Sequence, residues 1–278
     1  MRRRMRDPQE ADEGRDEHIL APSAALTGIR PRRRIRPPIG CVSVSCLRTS
    51  VAETGPVSDI GGVEAVVFDL DGVLVDSEPL WEQVRRQVVA EHGGRWTADA
   101  QSRLMGMSTP EWSRYLSDGL GVDLPPDDVA ALVIDRMGAR YADRLPLIPG
   151  AVEAVRAMAA RWPLGLASSS PQALIDGVLD AAALGDVFTV ALSTEGVARG
   201  KPAPDIYLTV AERLGMDPAR CAAVEDSSNG LRSAASAGMR VIAIPHPRYP
   251  PDPDALALAG LVLPGLDSLT PAAVAAMR

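Results

Sequence analysis

From residue 63 onward, short apolar runs alternate with stretches of helical spacing, and this rhythm limits the possible folds more than any other feature of the chain. The runs fall at 63–68, 164–167, 187–192, 221–224, 241–244 and 261–263. They are continuous, as expected of strands covered on both faces. Between them, apolar residues recur with helical period: Val152, Val155 and Ala159 in one stretch, and Ile206, Val210 and Leu214 in another that ends at Gly215. The alternation predicts an α/β fold, a Rossmann-like parallel sheet core with helices on both faces. One interval departs from it. Residues 79–149 hold no strong strand signal, only helical stretches near 80–91, 110–120 and 127–145, and that length is too great for a loop in a compact domain. We therefore expect an inserted all-helical cap after the first strand, over residues 80–147, with the core formed by 61–79 and 148–278.

Residues 1–60 differ in kind. They carry eleven Arg against eight acidic residues, a net +3, and show neither strand nor helix period. The expectation is a disordered basic N-terminal extension. An arm for nucleic acid or an anionic surface, a segment resting on the acidic body, and a misassigned start remain open beside it. No apolar stretch follows Arg2, Arg3 and Arg4, so a secretory signal is not expected. The rest of the chain has eighteen basic and 28 acidic residues, and the overall net charge of −7 argues against nucleic acid as a partner. Of three cysteines, Cys41 and Cys46 lie in the extension and Cys221 opens an apolar run, so no disulfide framework is available. That usage points to a reducing, cytoplasmic compartment. No window approaches a membrane span, and a monomer is the default expectation.

In open parallel sheets, ligands bind beyond the carboxyl ends of the strands. The first run is followed by Asp69-Leu-Asp71-Gly72, the second by Ser168-Ser169-Ser170, and the third, within ten residues, by Gly200-Lys201-Pro202. Glu225-Asp226-Ser227 follows the fourth run. Lys201 is the single lysine among 29 basic residues, so its place at this edge is informative. Asp69 and Asp71, two apart, project to one side while Leu70 turns into the core, and Gly72 permits a tight turn. Carboxylates this close to Glu225 and Asp226 repel one another and call for a cation. Oxygen ligands without His or Cys suit Mg²⁺ rather than zinc.

The segment from Phe68 to Glu78, Phe-Asp-Leu-Asp-Gly-Val-Leu-Val-Asp-Ser-Glu, resembles the first motif of the haloacid dehalogenase-like phosphohydrolases. Ser168 fits the second motif, Lys201 in Gly-Lys-Pro-Ala-Pro-Asp205 the third, and Glu225-Asp226 the fourth, so the resemblance covers about residues 63–270. It implies that Asp69 is the nucleophile, forming an aspartyl-phosphate, and that Asp71 is the general acid and base. It further implies that Ser168, Ser169 and Lys201 hold the phosphoryl oxygens. Mg²⁺ would be bound by Asp69, the backbone carbonyl of Asp71, and Asp226, with Glu225 direct or through water.

The family's chemistries can be partly separated. A dehalogenase lacks the second aspartate, and Asp71 is present. The phosphonoacetaldehyde hydrolase branch uses a cap lysine, and residues 79–149 contain none. The β-phosphoglucomutase branch resembles this chain closely but carries a His and a cap Arg where Trp81 and Thr109 stand here. That departure leans toward hydrolysis; a mutase and a catalytically idle binding module remain the alternatives. The run from Asp76 to Trp81 resembles the sugar- and polyol-phosphate phosphatases, which implies a small phosphorylated metabolite as substrate. The insertion offers Arg85, Arg86, Arg95, Arg103 and Arg114 as possible substrate contacts, most of them expected on solvated helix faces, and the candidates singled out are Glu78 together with Arg103 and Ser108, which flank a turn at Gly106. Hinges at 78–80 and 147–150 would close the cap and exclude water.

Overall fold

The structure, a computed structural model of the chain, describes residues 62–105 and 107–277. The extension expected over residues 1–60, with Cys41 and Cys46, lies outside the described residues. Six strands form one sheet: β1 (Ala65–Phe68), β2 (Leu164–Ser168), β3 (Val190–Ser193), β4 (Cys221–Glu225), β5 (Arg240–Ala243) and β6 (Leu261–Val262). All neighbours pair in parallel, in the order β3-β2-β1-β4-β5-β6. β1, β2 and β4 are buried along their whole length, which explains their unbroken apolar sequence. Strand alternation still divides their side chains. Val66 and Phe68 join one core with Leu164, Leu166 and Val224, whereas Ala65 and Val67 join another with Ala167, Cys221 and Ala223.

Among the described residues, the α-helices that follow β1 and precede residue 148 are α1 (Glu78–Glu91), α2 (Ala100–Leu104), α3 (Thr109–Arg114) and α4 (Pro126–Asp143). A π-helical turn over Tyr115–Gly119 follows α3. α1 begins with Pro79 in its first turn, where a missing N–H costs nothing, and buries Trp81, Val84, Arg85, Val88 and Val89 along one stripe. α4 buries Val129, Val133, Met137 and Tyr141 at every fourth position, and α1 and α3 both pack on it. The two strands of chain that lead into and out of these helices run side by side. The Asp76 amide donates to the Pro146 carbonyl (2.8 Å) and the Ile148 amide to the Leu74 carbonyl (2.9 Å).

The remaining helices complete the layers. α5 (Ala151–Ala159) and α6 (Gln172–Ala181) cover the face bearing Phe68, while α7 (Asp205–Leu214) and α8 (Ser228–Ser236) cover the other. Short α9 (Pro253–Leu256) and α10 (Pro271–Ala275) follow β5 and β6. α4 also packs on α6, which joins the inserted helices to the first face. Among the described residues no helix is long and apolar enough to cross a membrane.

The third strand starts at Val190, three residues later than the apolar run at 187–192 suggested. Phe188 is apolar for a different reason: its ring meets Phe68 edge-on, with centroids 6.1 Å apart. Replacing Phe68, which is fully buried, by Ala opens a cavity where β1 meets this face. We expect Phe68→Ala to lower the unfolding free energy by about 3–5 kcal/mol, read as a shift of the urea midpoint at unchanged slope. A shift below about 1 kcal/mol would contradict the packing described.

Candidate active site

Lys201 lies between β3 and α7 and is only 8% exposed. Its ammonium has three N–H groups, and all three are engaged: with Asp69 Oδ1 (2.6 Å), Glu225 Oε1 (2.6 Å) and the Ala167 carbonyl (2.9 Å). Asp69 directly follows β1, Glu225 closes β4 and Ala167 lies in β2, so one side chain ties three adjacent strand ends together. Tyr207 of α7 donates its phenol to Glu225 Oε1 (2.7 Å) and places its ring 5.1 Å from the ammonium. The other carboxylate oxygen of Glu225 accepts from the amides of Asp226 (3.2 Å) and Ser227 (3.4 Å) and from Ser227 Oγ (3.3 Å). Burial alone would lower the Lys201 pKa, but Asp69 and Glu225 outweigh it and hold the group protonated.

The carboxylates outnumber that one cation. Burial pushes Asp69 up to about 8, against the pull of Lys201 and with the repulsion of Glu225 and Asp71 behind it. Asp226 is raised by burial and by the repulsion of Glu225, Asp69 and Glu78, and its Oδ1 is buried without a partner. Ligand atoms of Asp69, Glu225 and Asp226 all lie within 4.8 Å of one another. An orphaned carboxylate oxygen inside an oxygen-only cluster of excess negative charge fits a hard divalent cation such as Mg²⁺. Two glycines make this closeness possible. Gly72 has φ +81°, and a Cβ there would overlap the Asp226 carboxylate; a Cβ at Gly230 in α8 would overlap Glu225.

Asp71 is held apart from that cluster by hydroxyl groups. Its Oδ1 accepts from Ser77 Oγ (2.5 Å), and its Oδ2 accepts from Ser170 Oγ (2.6 Å) and Ser168 Oγ (3.3 Å). The Ser168 hydroxyl also accepts the Ser170 amide (3.0 Å) and is fully buried. Ser169 and Ser170, rather than Ser168, line the cavity above.

That cavity has a volume of about 460 Å³. Asp69, Asp71, Lys201 and Asp226 form its floor, and α1 contributes Glu78, Trp81 and Arg85. Trp112 of α3, Leu104 of α2, Arg232 of α8 and the loop after β5, through His246 and Tyr249, are among the residues of the other walls. Of the residues expected at the substrate, Glu78 is here, with its carboxylate accepting from Gln101 Nε2 (2.9 Å). Burial raises the Glu78 pKa, and Arg85 works against that rise.

The other two lie off the cavity wall. The Arg103 side chain is 58% exposed, stacked 4.6 Å over the Tyr115 ring and 3.8 Å from Asp99. Ser108 caps α3, its amide (2.8 Å) and hydroxyl (2.6 Å) both donating to Glu111. A surface cation–π contact and a capping box account for them. Arg85 takes the interior place instead. It is 5% exposed, with its guanidinium carbon 4.6 Å from the Trp81 ring and 5.2 Å from Trp112. From the sequence, Arg85 is one of five possible contact arginines and is not singled out, Ser170 is only the last of three serines after the second run, and Tyr207 and Trp112 give no signal. The available signal was Trp81 and Arg85 four apart on the apolar stripe of α1.

The family model for haloacid dehalogenase-like hydrolases matches residues 63–238. Hexitol phosphatase B of Escherichia coli strain K12 is 35% identical over 223 residues, covering 74% of this chain and 94% of that protein. A Thermotoga maritima protein named phosphorylated carbohydrates phosphatase is 35% identical over 186 residues, 66% of this chain and 86% of its own length. Among solved structures, CbbY from Rhodobacter sphaeroides in complex with phosphate gives a TM-score of 0.68 at 28% identity, covering 77% of this chain and 99% of that one. With the strand order, the placement of acids and lysine at the strand ends and these likenesses together, the chain belongs to the haloacid dehalogenase-like hydrolases and is a phosphoric monoester hydrolase.

Proposed function

We propose that the chain is a Mg²⁺-dependent phosphatase that releases phosphate from a small sugar or polyol phosphate through an aspartyl-phosphate on Asp69. The observation that carries this reading is the pairing of Asp69 with Lys201 on the cavity floor while Asp71, two residues on, is anchored separately by Ser77 and Ser170. Two carboxylates in such different surroundings are suited to two different tasks. The names of the relatives, hexitol phosphatase and phosphorylated carbohydrates phosphatase, support the substrate class.

In the first step an Asp69 oxygen forms a bond to phosphorus as the bond to the substrate's ester oxygen breaks, and Asp71 gives that oxygen its proton. In the second, Asp71 takes a proton from water, the water oxygen attacks phosphorus, and the bond to Asp69 breaks, returning a free carboxylate and inorganic phosphate. Electrostatics decides whether the first step can occur. A carboxylate about 4 Å from a phosphate dianion is repelled by about 8 kcal/mol at an effective dielectric near 20. Lys201 supplies one fixed positive charge beside Asp69, and Ser169 faces the cavity, where it would hold a phosphoryl oxygen; Ser168 reaches that position only by giving up its bond to Asp71. Asp69, Asp226 and the Asp71 carbonyl would hold Mg²⁺, with Glu225 behind them because its oxygens are already engaged. When bound, the ion supplies the further positive charge that offsets the remaining repulsion.

Two outcomes follow. Phosphate release from hexitol and hexose phosphates should require Mg²⁺ and should fall by about 10³-fold or more with chelator or in Asp69→Asn, measured as inorganic phosphate. Turnover that survives in Asp69→Asn would remove Asp69 from its role. Lys201→Met should leave Asp69 and Glu225 buried without their cation, lowering stability by about 3–5 kcal/mol in denaturant titrations and kcat/KM by about 10²–10³. A variant as stable and as active as the parent would sink the account of the triad.

A further inference from the structure

We propose that Arg85, clamped between Trp81 and Trp112, selects the leaving group: with Glu78 it reads a neutral, hydroxyl-bearing carbon chain and disfavours substrates with a second phosphate. The inference rests on the phosphatase reading above and narrows its substrate.

Hydrogen-bonding capacity is the first support. Arg85 Nε is buried and has no partner, although its side chain lines the cavity. Glu78 lines the same wall, and its hydrogen-bond partner Gln101, which is not itself a lining residue, has a buried carbonyl oxygen that is also without a partner. The amide orientation is fixed, because the Gln101 nitrogen donates to Glu78. The wall therefore offers an unmet donor on Arg85 beside the carboxylate of Glu78. A hydroxyl both donates and accepts and can satisfy such a set, whereas a phosphate dianion only accepts. A site built to bond hydroxyls also discriminates well against analogues that lack them, since its own polar groups are then left unpaired. Trp81 and Trp112, with ring centroids 6.1 Å apart, both line the cavity and would give apolar cover to the carbon chain.

Charge is the second support. Among the described residues, the lysine and arginines lining the cavity are Lys201, Arg85 and Arg232. Lys201 has every N–H engaged, and Arg232 is held by Asp252 (2.9 Å) and Asp254 (2.8 Å). Arg85 faces Glu78 and Asp71, whose charges oppose the lowering of its pKa by burial. Lys201 and Arg232 are therefore not free for a second phosphate, and Glu78, whose charge acts on Arg85, would repel one.

The test compares three substrates on the full chain with Mg²⁺: sorbitol 6-phosphate, p-nitrophenyl phosphate and fructose 1,6-bisphosphate. We expect kcat/KM to be highest for sorbitol 6-phosphate. In Arg85→Met, the ratio of sorbitol 6-phosphate to p-nitrophenyl phosphate should fall at least ten-fold. In Glu78→Gln, the bisphosphate should gain at least three-fold relative to sorbitol 6-phosphate. Because both readouts are ratios within one preparation, partial misfolding of a variant does not affect them. A fall below ten-fold in Arg85→Met, a gain below three-fold in Glu78→Gln, or a wild-type preference for the bisphosphate overturns the inference while leaving the phosphatase reading intact. No release from any of the three removes that reading and this inference together.

Discussion

The Lys201 ammonium donates at once to Asp69, Glu225 and the Ala167 carbonyl, and so fixes the ends of β1, β4 and β2 relative to one another. Burying an ion triad is expensive, several kcal/mol per charge after relaxation, and mutual attraction offsets it only where the remaining lone pairs are also satisfied. That condition explains side chains which otherwise look incidental. Tyr207 fills the last lone pair on one Glu225 oxygen, and Ser227, whose hydroxyl also caps α8, fills the other with help from the Asp226 amide. Gly230 is absent of side chain because Glu225 occupies that volume. A helix start, a helix interior and a strand end are thus all shaped by one ammonium group.

Topology brings those residues together. From β1 the chain passes through the inserted helices to β2 and outward to β3, then returns across the sheet to β4 on the other side of β1 and outward again to β5 and β6. The direction reverses beside β1, and at such a point the connecting segments diverge and leave a crevice at the strand ends. Asp69 and Asp226 flank it. Because the insertion leaves directly after β1, its first helix rises from the same edge and carries Glu78, Trp81 and Arg85 over the carboxylates. The paired linkers, Asp76 to Pro146 and Ile148 to Leu74, keep the entry and exit of the insertion adjacent, which makes them the natural place for any closing motion.

The sheet and the floor of the site were legible because they depend on local pattern. Every strand falls on or within a residue or two of an expected apolar run except the third, where Phe188 owed its hydrophobicity to a contact with Phe68 rather than to pairing. Asp69, Asp71, Glu225 and Asp226 could be named because they lie at or just past a strand end, and Lys201, further along from β3, because it is the single lysine of the chain. The cap wall was not legible. Arg85 reads as polar and hence exposed, and the partners that bury it, Trp81 and Trp112, lie on two different helices joined only by packing. Arg103 and Ser108 drew attention by flanking the turn at Gly106, which lies outside the described residues, yet a neighbouring ring and a capping carboxylate already hold them. Tyr207 sits on the apolar stripe of α7, so periodicity alone assigns it to the core and is silent about its hydroxyl.

What distinguishes the two buried cations is what each leaves undone. At Lys201 every proton has an acceptor, and the surplus lies on the carboxylate side, at Asp226 Oδ1. At Arg85 the guanidinium lies against two rings with the charge of Glu78 favouring it, and its buried Nε proton has no acceptor. An apolar residue at position 85 would have continued the stripe of Trp81, Val84, Val88 and Val89 without removing a guanidinium from water. A purely structural arginine would be expected to have its buried donors met, since an unmet one costs about 1–3 kcal/mol. The floor thus carries a surplus of carboxylate and the wall an unmet donor, on residues that line the same cavity. Under the function proposed above, a divalent ion would answer the first and a hydroxyl-bearing phosphate ester the second.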